Sequence, residues 1–199
     1  MKQEGALLGL GRASIYDAPQ FRLANTQEGK MAGMPYFITL GEAGYTNERR
    51  GNIFAVDANG DGTGTTQALN PDLLDEFAAI TYEKNARMTD IFVGANLKRK
   101  INQLLSRQLS NEKEAQTTVQ TIELTTGPVR LHLHPYMTDQ YGLGDAILGG
   151  DFSFAKWAVL EEMNRELPTT DSAKQWEYYA SACIQVTNAY AFAMMIGAK

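Results

Sequence analysis

The residues whose type and spacing bear most directly on chemistry are oxygen donors. Asp57, Asn59 and Asp61 alternate through Asp57-Ala58-Asn59-Gly60-Asp61-Gly62, the spacing at which a calcium loop offers oxygens from positions 1, 3 and 5 ahead of a turn glycine. The twelfth position of such a loop supplies a bidentate carboxylate. Here that position is Ala68, and the next acid is Asp72. Without that ligand the three residues make a weak metal site at best, and a polar, Gly-rich surface turn accounts for them equally well. A calcium-dependent binding module on Asp57, Asn59 and Asp61 is nonetheless the alternative function from a different class.

Other candidate groups fall short sooner. His132 and His134 alternate on one strand, with Asp139 a few residues on. Strand neighbours two apart can share a metal, but two imidazoles are half a shell and the chain has no third histidine. The expectation is a polar strand face, and a small hydrolase using either histidine is the weakest rival. Lys98-Arg99-Lys100 opens a helix, where cations oppose the dipole. A solvated edge or an ion pair to another subunit suits it better than nucleic acid. Glu161, Glu162 and Glu166 have the spacing of an ordinary solvated segment. Cys183 lies on the more polar face of the long C-terminal strand with no basic neighbour in sequence. Gly5, Gly9 and Gly11 lack the Lys-Ser/Thr ending of a phosphate loop, and no Gly-x-Ser-x-Gly elbow occurs. The expectation is no catalytic residue and no cofactor.

Composition bounds the rest. The chain has 199 residues, 44% of them hydrophobic, with 18 basic and 23 acidic side chains for a net charge of −5. Such a balance gives no electrostatic drive to coat DNA. A single cysteine excludes an internal disulfide and a thiolate cluster. The longest apolar run, Ala189 to Ala198, is about half a membrane span. Met1-Lys2-Gln3-Glu4 ahead of a Gly-broken run does not read as a signal peptide.

The elements that must position these residues differ along the chain. Eleven of the 18 glycines fall within the first 64 residues, so that third reads as loops and short strands. Its one apolar extended piece is Tyr36-Phe37-Ile38-Thr39-Leu40. Asn70-Pro71 starts a helix running to about Asn85, with Leu73, Leu74, Phe77, Ala78, Ile80 and Thr81 on one face. Asp90 to Val93 reads as a short buried strand. A second helix begins near Asn96 with Leu97, Ile101, Leu104, Leu105 and Leu109 inward, and Asn111 to Gln116 is a polar connection. Thr117 to Leu124 and Val129 to His134 flank Thr125-Thr126-Gly127-Pro128 as a hairpin, with Val129, Leu131 and Leu133 opposite Arg130, His132 and His134. Trp176, Tyr178, Ala180, Ala182, Ile184 and Val186 alternate strictly with polar positions, which predicts a long strand with one buried face. The fold class is α+β.

Several segments carry a further pattern in their order. A strand with a Gly turn leads to the corner His134-Pro135-Tyr136-Met137. An apolar strand, Ala146 to Asp151, follows, then Thr169-Thr170-Asp171-Ser172, then a long strand closing at Asn188 before the apolar Ala189 to Gly197. This order, over Thr117 to Met137, Gly144 to Leu160 and Leu167 to Gly197, resembles the major capsid (major head) proteins of tailed bacteriophages with the Hong Kong 97 fold, in the SU-ten-like branch. Upstream, Gln3 to Leu8 resembles the end of that family's spine helix, Gly33 to Leu40 its following strand, and Asn70 to Asn85 with Ile91 to Leu109 its two axial-domain helices and the strand between.

The resemblance implies an end of spine helix at residues 1–20, an axial domain at 21–160 and return strands of a peripheral domain at 161–199. On this resemblance the numbered chain is expected to lack the N-terminal arm and most of the spine helix. It also implies a non-enzymatic subunit that forms the hexamers and pentamers of an icosahedral head around double-stranded DNA, which it meets only indirectly. Portal and cement or scaffolding proteins are the further partners, with no membrane, and assembly takes place in the host cytoplasm. The Leu97 to Leu109 helix and the Trp176 to Thr187 strand are expected in separate layers.

Overall fold

The computed structural model describes residues 8, 16, 18–20, 30–39, 52–56, 64–109, 120–167 and 175–199. The Asp57-Asn59-Asp61 loop, residues 3–7 of the expected spine-helix end, Gly5, Gly9 and Gly11, the 111–116 connection and the 169–172 turn lie outside them.

The central element is a six-stranded mixed sheet in the order β1-β8-β5-β2-β4-β3. Its strands are β1 (Ile53–Ala55), β2 (Asp90–Val93), β3 (Thr121–Leu124), β4 (Gly127–Leu133), β5 (Ile147–Gly150) and β8 (Phe192–Ile196). β1 runs parallel to β8 and β2 parallel to β4, while the other pairs are antiparallel. The apolar run too short for a membrane becomes β8, with Phe192 to Met195 fully buried between two neighbours. A strand covered on both faces needs such an uninterrupted apolar run. Among the described residues no helix is long and apolar enough to cross a membrane.

Period-two alternation sends successive residues to opposite sides of this sheet. Ile91, Val93, Val129, Leu131, Ile147, Ala193 and Met195 pack with Leu74, Phe77, Ala78, Leu97 and Ile101 of two helices. Leu148, Phe192, Met194 and the partly buried Phe92 pack on the other side with Met34, Ile38, Met137 and Leu143. The helices are α2 (Pro71–Glu83) and α3 (Ala95–Leu109), where the sequence places them. Asn70 Oδ1 accepts from Leu73 N at 2.8 Å, and Pro71 follows at the first helical position. Asn85, at φ 59°, ends α2, and Ala86 N returns to Thr81 O at 3.0 Å.

Three expectations need correction. Residues Met34–Thr39 form a short helix, α1, where Tyr36 to Leu40 and the Gly33 to Leu40 resemblance predict a strand. Met34 and Ile38 are both fully buried, four apart, so the helical period brings together two apolar side chains separated by one turn. Pro35 suits the first turn, and Thr39 Oγ1 donates to Tyr36 O at 2.7 Å.

The second correction concerns β4. Val129 and Leu131 are buried as predicted, but Leu133 is 55% exposed and His134 is buried. The chain leaves the strand at His134, whose ring meets Phe92 and Tyr136. The hairpin turn itself is two residues long, with Leu124 paired to Gly127 at φ 121°.

The third concerns the long alternating segment. It is β7 (Gln175–Val186), and among the described residues it pairs only with β6 (Ala155–Leu167), in a separate two-stranded sheet. The face predicted as buried is open at its far end, with Trp176 61% exposed, while Ile184 is buried near the base. Alternation reports that one face is apolar. What covers that face is a tertiary matter. α3 and β7 do belong to different layers.

Candidate functional site

Two features stand out, one polar and buried, the other apolar and exposed. The polar one begins with the parallel register of β2 and β4, which sets Asp90 beside Arg130 and Phe92 beside His132. Because Ile91, Val93, Val129 and Leu131 turn toward the helices, Asp90, Phe92, Arg130 and His132 share the opposite face. Asp90 Oδ2 accepts from Thr89 Oγ1 at 2.7 Å and from an Arg130 terminal nitrogen at 2.9 Å, while Oδ1 lies 2.7 Å from His132 Nε2. An ionised carboxylate only accepts, so the imidazole carries its proton on Nε2.

The Asp90 side chain is 9% exposed. Burial pushes its carboxyl upward, but the hydrogen bonds from Thr89, His132 and Arg130, with the Arg130 charge, outweigh that and hold it below the ordinary aspartate value. The His132 ring stacks on Phe92 at 5.0 Å between centroids and 24° between planes.

A carboxylate orienting an imidazole is half of a hydrolytic arrangement. The other half is not built here: Thr89 donates to Asp90, not toward His132, and Cys183 is exposed in the other sheet. His134 is packed separately, with Nδ1 accepting from Tyr136 N at 3.3 Å. Among the described residues no three His, Cys, Asp or Glu side chains are grouped to hold a metal. A hollow of about 180 Å³ is lined by Pro71, Leu74, Ile101, Leu104, Ile122 and Leu124 with the carboxylates of Asp75 and Glu123, and it is smaller than ordinary ligand pockets. The Asp90 cluster therefore fastens two parallel strands. Sequence reading did not single out Asp90. Its one signal is an acid heading an otherwise apolar strand.

The remaining candidates are dispersed. Arg99 is exposed, Lys98 and Lys100 are half-buried on the first turns of α3, and none of the three has an ion pair among the described residues. Glu162 and Glu166 are exposed on β6, opposite Ala180 and Trp176.

The apolar feature is the β6–β7 hairpin. Its base, Ala155, Ile184 and Val186, packs into the second core. Beyond the base, Trp157, Val159 and Trp176 are exposed, and Leu160 is 87% exposed at the break in register between Val159 and Glu161. Large apolar side chains gathered on one exposed ribbon mark a contact surface.

The apolar surplus on the β6–β7 ribbon is the kind of surface that another chain covers. The family model for the SU10 major capsid protein matches residues 4–199, and the chain belongs to that family, a family of structural virion proteins. A solved structure from Mycobacterium phage Ogopogo is similar, at 11% identity and a TM-score of 0.40, over 72% of this chain and 53% of that one. This chain thus spans about half the length of that structure. No curated protein matches.

Proposed function

We propose that the chain is the major capsid subunit of a tailed bacteriophage, self-assembling through hexamers and pentamers into an icosahedral head around double-stranded DNA. The observation that carries this reading is the family match over residues 4–199. The exposed ribbon of Trp157, Val159, Leu160 and Trp176 supports it, because a shell subunit works through surfaces that neighbouring copies cover. In this reading the fold is of the Hong Kong 97 kind, with the spine-helix end at residues 1–20, the axial domain at 21–160 and the peripheral return at 161–199. The subunit acts without catalysis or cofactor, is assembled in the host cytoplasm, and meets portal and scaffolding or cement proteins in the virion. The test is to express the chain and examine the product by electron microscopy and sedimentation. Closed shells of uniform diameter are expected, and a chain found only as free monomer under all assembly conditions overturns the reading. Calcium titration by calorimetry tests the alternative on Asp57, Asn59 and Asp61: no heat at about millimolar metal removes it.

A further inference from the structure

The two strands of the hairpin treat their outer edges differently. β6 carries Lys156, Glu161, Glu162, Arg165 and Glu166, and its register shifts at Leu160. Charges and a bulge are the devices by which an edge strand refuses another strand. β7 has one charge, Glu177, in twelve residues, with no proline, no glycine and no break on its own side of the ladder. It is a long, undefended edge.

The direction of its free backbone groups follows from one bond. Thr187 N donates to Phe154 O at 3.0 Å. In an antiparallel ladder this turns residues 187, 185 and 183 toward β6 and residues 186, 184, 182 and 180 outward. Among the described residues no strand pairs with that outward edge. A two-stranded ribbon is marginal by itself.

We propose that the outer edge of β7 pairs antiparallel with the same edge of a second copy of this chain about a two-fold axis, giving a four-stranded sheet ordered β6, β7, β7, β6. The inference rests on the capsid reading for its supply of neighbouring copies. Two arguments select a copy of β7 as occupant. Pairing like edges leaves the two defended β6 edges outermost, so the contact closes on itself. Pairing β7 with a copy's β6 would bring an open-ended chain of contacts and meet the charges and the bulge. Charge placement agrees: with the axis beside Ala180, near the middle of the strand, Glu177 lies across from the second copy's Cys183, whereas parallel pairing would set Glu177 against its own copy.

The test uses two variants of the full chain. Ala182→Pro removes an outward N–H that β6 does not use, and Ala182→Lys keeps that N–H while adding a charge to the edge. Below the concentration of shell formation, wild type is expected to sediment as a dimer, and each variant to dimerise about tenfold more weakly or not at all. Amide exchange at residues 178, 180 and 182 should slow in wild type by about tenfold over the variants, with the outward amides of β6 unchanged. Tryptophan spectra and melting points report folding, and if Ala182→Pro melts early, Ala182→Lys decides. A monomeric wild type, variants that dimerise equally, or protection on β6 instead of β7 overturns the pairing. Shells that form from Ala182→Lys with β7 exchange unchanged overturn the pairing and leave the capsid reading intact. Dimers of wild type that never yield shells overturn the capsid reading and leave the pairing intact.

Discussion

Asp90 is a carboxylate held nearly out of water because three donors converge on it, and its stabilisation depends on its remaining charged. Its carboxyl is depressed below the ordinary aspartate value of 3.8, so the sign is fixed: the contribution is complete above that value and is lost as pH falls from there through the folded-state value. Asp90→Asn should destabilise the chain by about 1–3 kcal/mol at neutral pH. The gap between the two stability curves, measured by denaturant titration, should stay constant above about pH 5 and narrow below about pH 4. A gap that widens on acidification would refute the assignment. Asn52 is the neutral counterpart. It is buried, its Nδ2 donates to Phe192 O at 2.6 Å, and its Oδ1 accepts from Lys84 Nζ at 2.5 Å. Its own N and O bond Ile38 O at 3.4 Å and Met194 N at 3.1 Å, so one residue joins α1, β1 and β8. Asn52→Asp keeps the shape but removes the donor and sets a carboxylate against the Phe192 carbonyl. It should cost about 1–3 kcal/mol despite the nearby Lys84.

At the scale of elements, legibility in the sequence tracked how local the determining physics is. α2, β2 and the β3–β4 hairpin could be read directly, because an Asn-Pro cap, a short apolar run and a Gly turn act within a few residues. α1 could not: Tyr36 to Leu40 has strand-forming residues, and only the joint burial of Met34 and Ile38 against β8 and the 189–191 turn selects the helix. The Asp90 cluster was hidden for a related reason. Arg130 and His132 lie 40 and 42 residues from Asp90, and the parallel register of β2 with β4 has no signature in either strand alone. The corner after β4 shows the same dependence. Gly94, between β2 and α3, has the Met137 carbonyl pressed where a Cβ would stand. That contact is backbone, so a side chain at 94 cannot be accommodated by a rotamer change. Gly94→Ala should cost about 1–3 kcal/mol, read as a lower melting point, with Gly142→Ala as a milder control. Gly142 has nothing within 4 Å of an added Cβ and bears only the strain of φ 67°.

For the whole molecule, the capsid reading expects folding and assembly to draw on different residues. The sheet, α2 and α3 close a core that includes Phe77, Ile91, Leu97 and Ile147. The ribbon beyond Ile184 adds little to it, since Leu160 and Trp176 stand mostly in solvent. Substituting such residues should scarcely alter subunit stability, within about 0.5 kcal/mol. In a shell every copy repeats the same contact, so a small loss per contact is multiplied by symmetry. Leu160→Asp and Trp176→Ala are therefore expected to melt with the wild-type subunit yet lower the yield of sedimenting shells at least about tenfold. Phe77→Ala, a truncation of a fully buried ring, should lower both together, by about 3–5 kcal/mol in stability. If the ribbon variants lost stability in proportion to assembly, the hairpin would belong to the subunit's core. If they assembled normally, its apolar face would have no neighbour in the shell.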